Sequence, residues 1–365
     1  YNIFPAQPPR RLNEIDDDIP FVEPDNKTYN SMDPFPSKLV EFVRQTDLAG
    51  QGMAVIRLYP LWYVPHEKKL TLYTKITFLI EGIDGYECGD YLPKRISESG
   101  RNAYEQMIKD MVINPEDVQL HTSLSGNPVN LPPGGPYDHV IITSSSYETY
   151  WNPLLEWHTK RGLKDTAVTT DYIYSNYAGS DNQEKIRNFI IDAHTNWGTQ
   201  YFLLAGEHGI VPFKYRTYYD ESTPSDQYYS DYDDDWVHEV FVGRVTAEGY
   251  TQINRFVDKV LHYEKNPPIT DYPLDVLLIG MDVDSSTHME YLKETIDGYI
   301  PSQFNVTKVY DSHGGNHRTA AINALNAGQN LINHADHADW NYLGTGDYWH
   351  GWGITNWDVD NLINN

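Results

Sequence analysis

The chain has 365 residues, enough for two or three domains and a substantial core, with the charged and apolar fractions of a soluble globular protein. Its net charge of −25 argues against nucleic acid as a partner, because phosphate binding needs clustered Lys and Arg. A single cysteine, Cys88, excludes an internal disulfide framework and any Cys-based zinc site.

No apolar run approaches the roughly 18 residues that span a membrane. The opening Tyr1-Asn2-Ile3-Phe4-Pro5 lacks a basic n-region and an apolar h-region. No signal peptide is therefore expected within it, although a leader can already have been removed. The acidity suits an extracellular or salty medium, or the binding of divalent cations. Asn26-Lys27-Thr28 and Asn305-Val306-Thr307 are glycosylation sequons, a pattern too common to weigh much.

Residues 1–50 are rich in Pro, Asp and Asn and read as an extended arm. From Met53 an alternating pattern begins, and the run Leu70 to Ile80 has strong β propensity. Together they predict an antiparallel β module closed by a turn at Gly82 to Gly85. A helix is expected from about Ser99 to Met111. Ser125-Gly126-Asn127-Pro128 and Leu131-Pro132-Pro133-Gly134-Gly135-Pro136 then mark a linker, which sets a domain boundary at 136/137.

Beyond the linker the rhythm is strand–helix–strand. Strands are expected at Tyr137 to Thr143, Lys164 to Thr169, Tyr201 to Gly206, Glu239 to Arg244 and Val276 to Gly280. Helices are expected at Trp151 to Lys160, Gln183 to Asn196, Gly249 to Tyr263 and His288 to Tyr299. Strands alternating with helices of this length imply a largely parallel sheet covered on both faces, an α/β domain.

The stretch Gly328 to Asp339 organises the functional reading. Thr319 to Ala327 predicts a short Ala-rich helix, with Gly328 where a C-cap glycine belongs. Leu331 and Ile332 begin a buried strand, and His334, Asp336, His337 and Asp339 follow at its carboxyl end. Open α/β sheets bind ligands outside the carboxyl ends of their strands, so these titratable groups are an active-site candidate.

Several blocks then resemble the gingipain-type (C25) cysteine peptidases, in the same order along residues 137–365. They are Tyr137 to Thr143, Glu156-Trp157-His158-Thr159-Lys160-Arg161-Gly162-Leu163, Leu203 to Pro212, Ser225-Asp226-Gln227, Glu239 to Arg244 and His262-Tyr263-Glu264. The family's Asn-x-x-Gly-His-Gly run, whose histidine is catalytic, matches Asn333 to Ala338. Residues 53–80 resemble the β-rich prodomain of those enzymes. The resemblance implies a caspase-like, mostly parallel sheet with helices on both faces, preceded by a β-rich prodomain. It implies a secreted endopeptidase acting on peptide or protein substrates through a Cys–His pair, with His337 as general base and acid.

This sequence departs from the family pattern in two ways. The family's cysteine follows its histidine on the next strand, whereas Cys88 lies in the propeptide-like region. The expected thiol therefore belongs to a following segment or to a second chain. A proteolytic cut or a truncation explains this better than a pseudoenzyme, since Asn365 is an incomplete place for an α/β domain to end. Asp336 and Ala338 also replace the glycines that flank the family's histidine.

By resemblance, either Asp282 or Asp284 orients the histidine; the alternative for both is to cap the following helix. The family's S1 position falls near Ser285, so preference for Arg or Lys does not carry over. Calcium is expected on two grounds. Asp231, Asp233, Asp234, Asp235 and Glu239 crowd hard oxygen ligands into one short segment. The family's calcium ligands fall on Glu207, Asp235, Glu239 and His288, with backbone carbonyls near Tyr232 and Val237. Lys94, Arg95 and Arg101 are candidate pseudosubstrate residues. Two rival readings are a metallohydrolase built on His334, Asp336 and His337, and a secreted binding or adhesion module.

Overall fold

The computed structural model describes residues 3–5, 21–81, 95–120, 130–218, 221–232, 234–284, 287–339, 341–346 and 353–363. Backbone contacts group the chain into two compact units, whose main segments are Asp25–Asn266 and Pro267–Asn365. The boundary expected at 136/137 lies inside the first of them.

In the first unit, α1 (Asn26–Tyr29) precedes a hairpin of β1 (Val40–Leu48) and β2 (Gln51–Leu58). Ala49 and Gly50 join the strands with φ of 48° and 82°, the two positive values that let a two-residue turn follow the twist of its strands. Residues 40–48 are thus a strand and not part of an extended arm. β3 (Leu61–Val64) and β4 (Lys69–Leu72) form a second hairpin. The strand expected to reach Ile80 stops at Leu72, because among the described residues nothing pairs with its second half, and Leu79 is 81% exposed. The turn expected at Gly82 to Gly85 and Cys88 both lie outside the described residues. α2 (Glu98–Met111) starts on Ser97, whose hydroxyl accepts the Gly100 N–H.

The elements that follow alternate as expected: β5 (His139–Thr143), α3 (Asn152–Lys160), β6 (Asp165–Thr169), α4 (Thr170–Asn176), α5 (Asn182–Trp197) and β7 (Tyr201–Ala205). An antiparallel pair, β8 (Lys214–Tyr218) and β9 (Glu221–Ser225), precedes β10 (Phe241–Val245) and α6 (Tyr250–Lys265). Four strands form a parallel sheet in the order β10-β7-β5-β6. Neighbouring side chains of β5 feed opposite cores, which is why it reads as an unbroken apolar run. Val140 and Ile142 pack with Ile186, Phe189 and Ile190 of α5. Ile141 packs with Leu154 of α3 and with Ile253 and Val257 of α6. Truncating the fully buried Phe189 to Ala would cost about 3–5 kcal/mol. α5 ends at Gly198, where φ is 73° and an added Cβ would lie 2.4 Å from the Arg95 carbonyl oxygen, so any other residue is excluded twice.

The second unit contains β11 (Asp275–Gly280), β12 (Asp282–Asp284), β13 (Thr287–His288), α7 (Met289–Asp297), β14 (Asn305–Tyr310), α8 (His317–Ala327) and β15 (Leu331–Ala335). Its parallel sheet has the order β14-β11-β15. Leu277 and Ile279 pack with Ala321 and Ala324 of α8, while Val276 and Leu278 pack with Ile296 of α7. β16 (Ala338–Asp339), β17 (Tyr342–Gly344) and β18 (Gly353–Thr355) make a small antiparallel sheet, and α9 (Asn356–Asp360) follows. Gly328 ends α8 with φ of 91°, a value that favours glycine, and with ψ of 133° it leads directly into the extended chain before β15. Both units therefore show parallel strands flanked by helices, behind a β-rich segment.

Candidate active site

The parallel register of the second unit brings three strand ends to one edge. Gly280 pairs with both Tyr310 and Ala335, so Asp311 and Asp336 follow their strands at the level of Met281, and Asp282 stands one residue beyond it. The ladder continues one step further, since the Met281 N–H donates to the Ala335 carbonyl at 3.1 Å. The Asp282 N–H then donates to Asp311 Oδ2 at 2.7 Å, and His317 Nδ1 lies 3.3 Å from Asp311 Oδ1. This is the carboxyl edge where an α/β sheet carries its chemistry.

His337 is held there by the main chain. Its Nε2 donates to the Val283 carbonyl oxygen at 3.0 Å. A carbonyl can only accept, so in the neutral ring Nε2 carries the proton and Nδ1 keeps the basic lone pair. The His337 N–H donates to Asp336 Oδ1 at 2.6 Å, and the Gly346 N–H to Asp336 Oδ2 at 3.3 Å. Burial pushes the Asp336 carboxyl above the usual carboxylate range, against the smaller opposing pull of those two N–H groups. His334 Nε2 sits 2.7 Å from the Gly344 carbonyl. Gly344 runs so close that an added Cβ would lie 2.3 Å from Asp336 Oδ2 and 2.8 Å from the His337 carbonyl oxygen. The side chains of His334, Asp336 and His337 thus address four separate backbone groups. They do not gather three ligand atoms within 4.8 Å of one another, which removes the metallohydrolase reading its geometric basis.

Beneath the edge, Lys293 of α7 is 1% exposed and donates to Asn333 Oδ1. Burial pulls its ammonium below the usual lysine range. The helix passes so close to β11 that a Cβ on Gly280 would meet Lys293 Cγ at 2.7 Å.

Asp282 Oδ1 lies 2.7 Å from His288 Nδ1, across the β12–β13 pairing of the same two residues. Its carboxylate is therefore turned to His288, while the His337 ring is turned to a peptide carbonyl. The Asp284 backbone ends β12, and its side chain, like Ser285, lies outside the described residues.

Of the expected calcium ligands, Glu207, Tyr232, Asp235, Val237 and Glu239 lie in the first unit and His288 in the second. Asp231, Asp235 and Glu239 are only 0%, 6% and 5% exposed. Backbone N–H groups satisfy much of their capacity: Tyr232 N to Glu239 Oε2 and Val237 N to Asp235 Oδ1, both at 2.7 Å, and Asp235 N to Asp231 Oδ1 at 3.1 Å. The prodomain-like hairpin also reaches this loop, with Thr46 Oγ1 on Asp235 Oδ2 and the Arg44 guanidinium on the Asp235 carbonyl. Buried hard oxygens at Asp235 and Glu239 fit calcium. The Tyr232 carbonyl accepts from the Arg187 guanidinium, which leaves it one lone pair for a further partner. Glu207 anchors a turn through its backbone, donating to the Ala247 carbonyl at 3.1 Å. Asp233 and Lys94 lie outside the described residues, Arg95 is exposed and Arg101 is half-buried.

Sequence reasoning missed Asp311 and the Val283 carbonyl. Asp311 follows a strand that was not foreseen, and a backbone acceptor leaves no residue-type signal. The Lys293–Asn333 contact was equally invisible, since a lysine on an amphipathic helix ordinarily faces water.

The model of peptidase family C25 matches residues 133–365, and the C25 propeptide model matches residues 1–117. Gingipain R2 of Porphyromonas gingivalis is 25% identical over 345 residues, covering 92% of this chain and 44% of the relative. Gingipain R1 of the same organism is 25% identical over 361 residues, covering 95% and 34%. The chain thus spans less than half the length of these curated relatives. A solved complex of the pro- and mature domains of Porphyromonas gingivalis RgpB is 24% identical with a TM-score of 0.47, covering 57% of this chain and 49% of that one. With its peptidase match extending over well more than half of its length, the chain belongs to peptidase family C25.

Proposed function

We propose that residues 1–365 form the propeptide and the leading part of the catalytic domain of a secreted cysteine endopeptidase, in which His337 is the acid–base partner of a thiol. Cys88 falls within the span that matches the C25 propeptide, so the thiol is assigned to a following segment or a second chain. The observation that carries this reading is the Nε2–H bond of His337 to Val283, which leaves Nδ1 as a base at the carboxyl edge of a parallel sheet. In this scheme Nδ1 takes the thiol proton as sulfur attacks the scissile carbonyl carbon. It returns that proton to the departing amine, and water then hydrolyses the thioester. The His337 N–H is already committed to Asp336, so the developing oxyanion must be met by other donors. A sequence-diverse peptide mixture tests this: the longer protein that carries the thiol should cleave it, and alkylation with iodoacetamide should stop cleavage. Full activity after complete alkylation would overturn the proposal.

Calcium is proposed as a structural ion at the acidic loop, with Asp235 and Glu239 as its carboxylate ligands. Their burial supports it. Calcium should raise the melting temperature of the chain, EGTA should reverse the rise, and Asp235→Asn should abolish it. A net charge of −25 supports the extracellular assignment, and no described helix is long and apolar enough to cross a membrane. Detection of the protein in cell-free culture medium tests that assignment.

A further inference from the structure

A second cluster of titratable groups lies at the amino edge of the four-stranded sheet. His139 opens β5 and Asp165 opens β6, and the two are direct partners in the parallel ladder, so their side chains leave the same face. Ile141 and Ala167, two positions further along each strand, share that face and pack with Leu154 of α3. His158 follows Leu154 by one helical turn and is therefore set above His139 and Asp165. His139 Nδ1 lies 2.9 Å from Asp165 Oδ1, and His158 Nδ1 lies 2.5 Å from Asp165 Oδ2. The Asp165 side chain is 0% exposed and the two rings only 13% and 14%.

This is the one place among the described residues where three potential ligand atoms lie within 4.8 Å of one another. Asp165 forms its ion pairs with the two imidazoles, and among the described residues with no Lys or Arg. A buried carboxylate is hydrogen-bonded, paired or bound to a metal ion, and a cation seated between Asp165 and the two imidazoles would be held by all three groups at once.

We propose that His139, His158 and Asp165 bind a divalent transition-metal ion of the zinc class, through two imidazole Nδ1 atoms and one carboxylate oxygen. Two imidazoles and a carboxylate without a thiolate suit zinc, whose bonds to nitrogen and oxygen of about 2.0–2.2 Å set neighbouring ligand atoms about 3.3 Å apart, so both rings draw back from Asp165 when the ion enters, His158 the further. Water completes the coordination. The site stands at the opposite strand ends from those that carry chemistry in such sheets, and it joins the last turn of α3 to the first residues of β5 and β6. Its role is structural, and it does not depend on the peptidase reading.

The 365-residue chain, stripped with EDTA, should be titrated with Zn²⁺ by calorimetry and with Co²⁺ by visible absorption. One equivalent should bind with Kd below about 10 μM, Co²⁺ should give a tetrahedral d–d band, and excess Zn²⁺ should raise the melting temperature by at least about 3 °C. His139→Gln and His158→Gln keep an N–H donor for Asp165 but lose the ligand nitrogen. Each should weaken Zn²⁺ binding by more than about tenfold and remove the Co²⁺ band. Absence of binding by the unmodified chain, or affinity unchanged in both variants, would show that Asp165 is only hydrogen-bonded and would overturn the proposal. Should a variant misfold, Zn²⁺-dependent shifts of the His139 and His158 ring signals in the unmodified chain decide the question, and unmoved signals refute the site.

Discussion

His337 donates its Nε2–H to the carbonyl oxygen of Val283 at 3.0 Å, so its ring orientation is set by a peptide group rather than by a carboxylate. The first prediction follows from the one-way nature of that acceptor. At a pH where His337 is neutral, its ring should be the Nε2–H tautomer, read from ¹⁵N shifts of histidine-labelled chain. An Nδ1–H tautomer would contradict the assigned basic nitrogen.

Asp336 gives a pH prediction whose sign is fixed by burial. Folding raises its pKa, so over a range of pH the folded chain keeps a proton that the unfolded chain has released. Stability from this group is present at low pH and falls as the pH rises through the folded value. Asp336→Asn removes the titrating charge but gives up one of the two acceptor oxygens, so its testable signature is the pH dependence. The melting temperature of the variant relative to the parent should move in the variant's favour as the pH rises above the ordinary Asp value of 3.8. A difference between the two that is independent of pH would refute the account.

The propeptide-like segment is anchored by a buried aromatic. Tyr104 of α2 is 1% exposed, stacks on Phe241 and donates its hydroxyl to the Glu239 carbonyl at 2.7 Å. Tyr104→Phe should cost about 1 kcal/mol by urea unfolding, and Tyr104→Ala about 3–5 kcal/mol. Equal effects from both would show that the hydroxyl, and not the ring, carries the contact.

Arg318 and Asp358 make an acid-sensitive staple between α8 and α9. The Arg318 guanidinium donates to Asp358 Oδ1, and Asp358 also completes a capping box with Thr355. The Arg318 hydrogen bond is the main reason the Asp358 pKa falls from 3.8 to about 2. The stability it supplies is present above 3.8 and is lost as the pH drops towards 2. Arg318→Ala should cost about 1–3 kcal/mol at pH 7, with the difference from the parent shrinking across that acid window.

Much of the framework was legible because burial writes itself into side-chain periodicity. β5, β7 and β11 are covered on both faces, so their unbroken apolar runs stand out. β14 escaped notice because Asn305-Val-Thr-Lys-Val-Tyr310 mixes polar and charged residues, as an edge strand can. β1 was obscured in the same way by Glu41, Arg44 and Asp47, and Leu70 to Ile80 was read as too long a strand because propensity cannot reveal whether a partner exists. At the site, the placement of His337 followed from strand and loop pattern. Its partner did not, since a Val283 carbonyl carries no residue-type signal. The His139–His158–Asp165 cluster was hidden for a different reason: His139 and Asp165 meet across a ladder 26 positions apart.

The most direct measurement is the rate of peptide hydrolysis by the thiol-bearing longer protein and by its His337→Ala variant, with equal folding checked by circular dichroism. Loss of the acid–base imidazole should lower kcat/KM by about 10³-fold or more, with little change in melting temperature. A kcat/KM within about twofold of the parent would contradict the assignment of His337 and with it the cysteine-peptidase account.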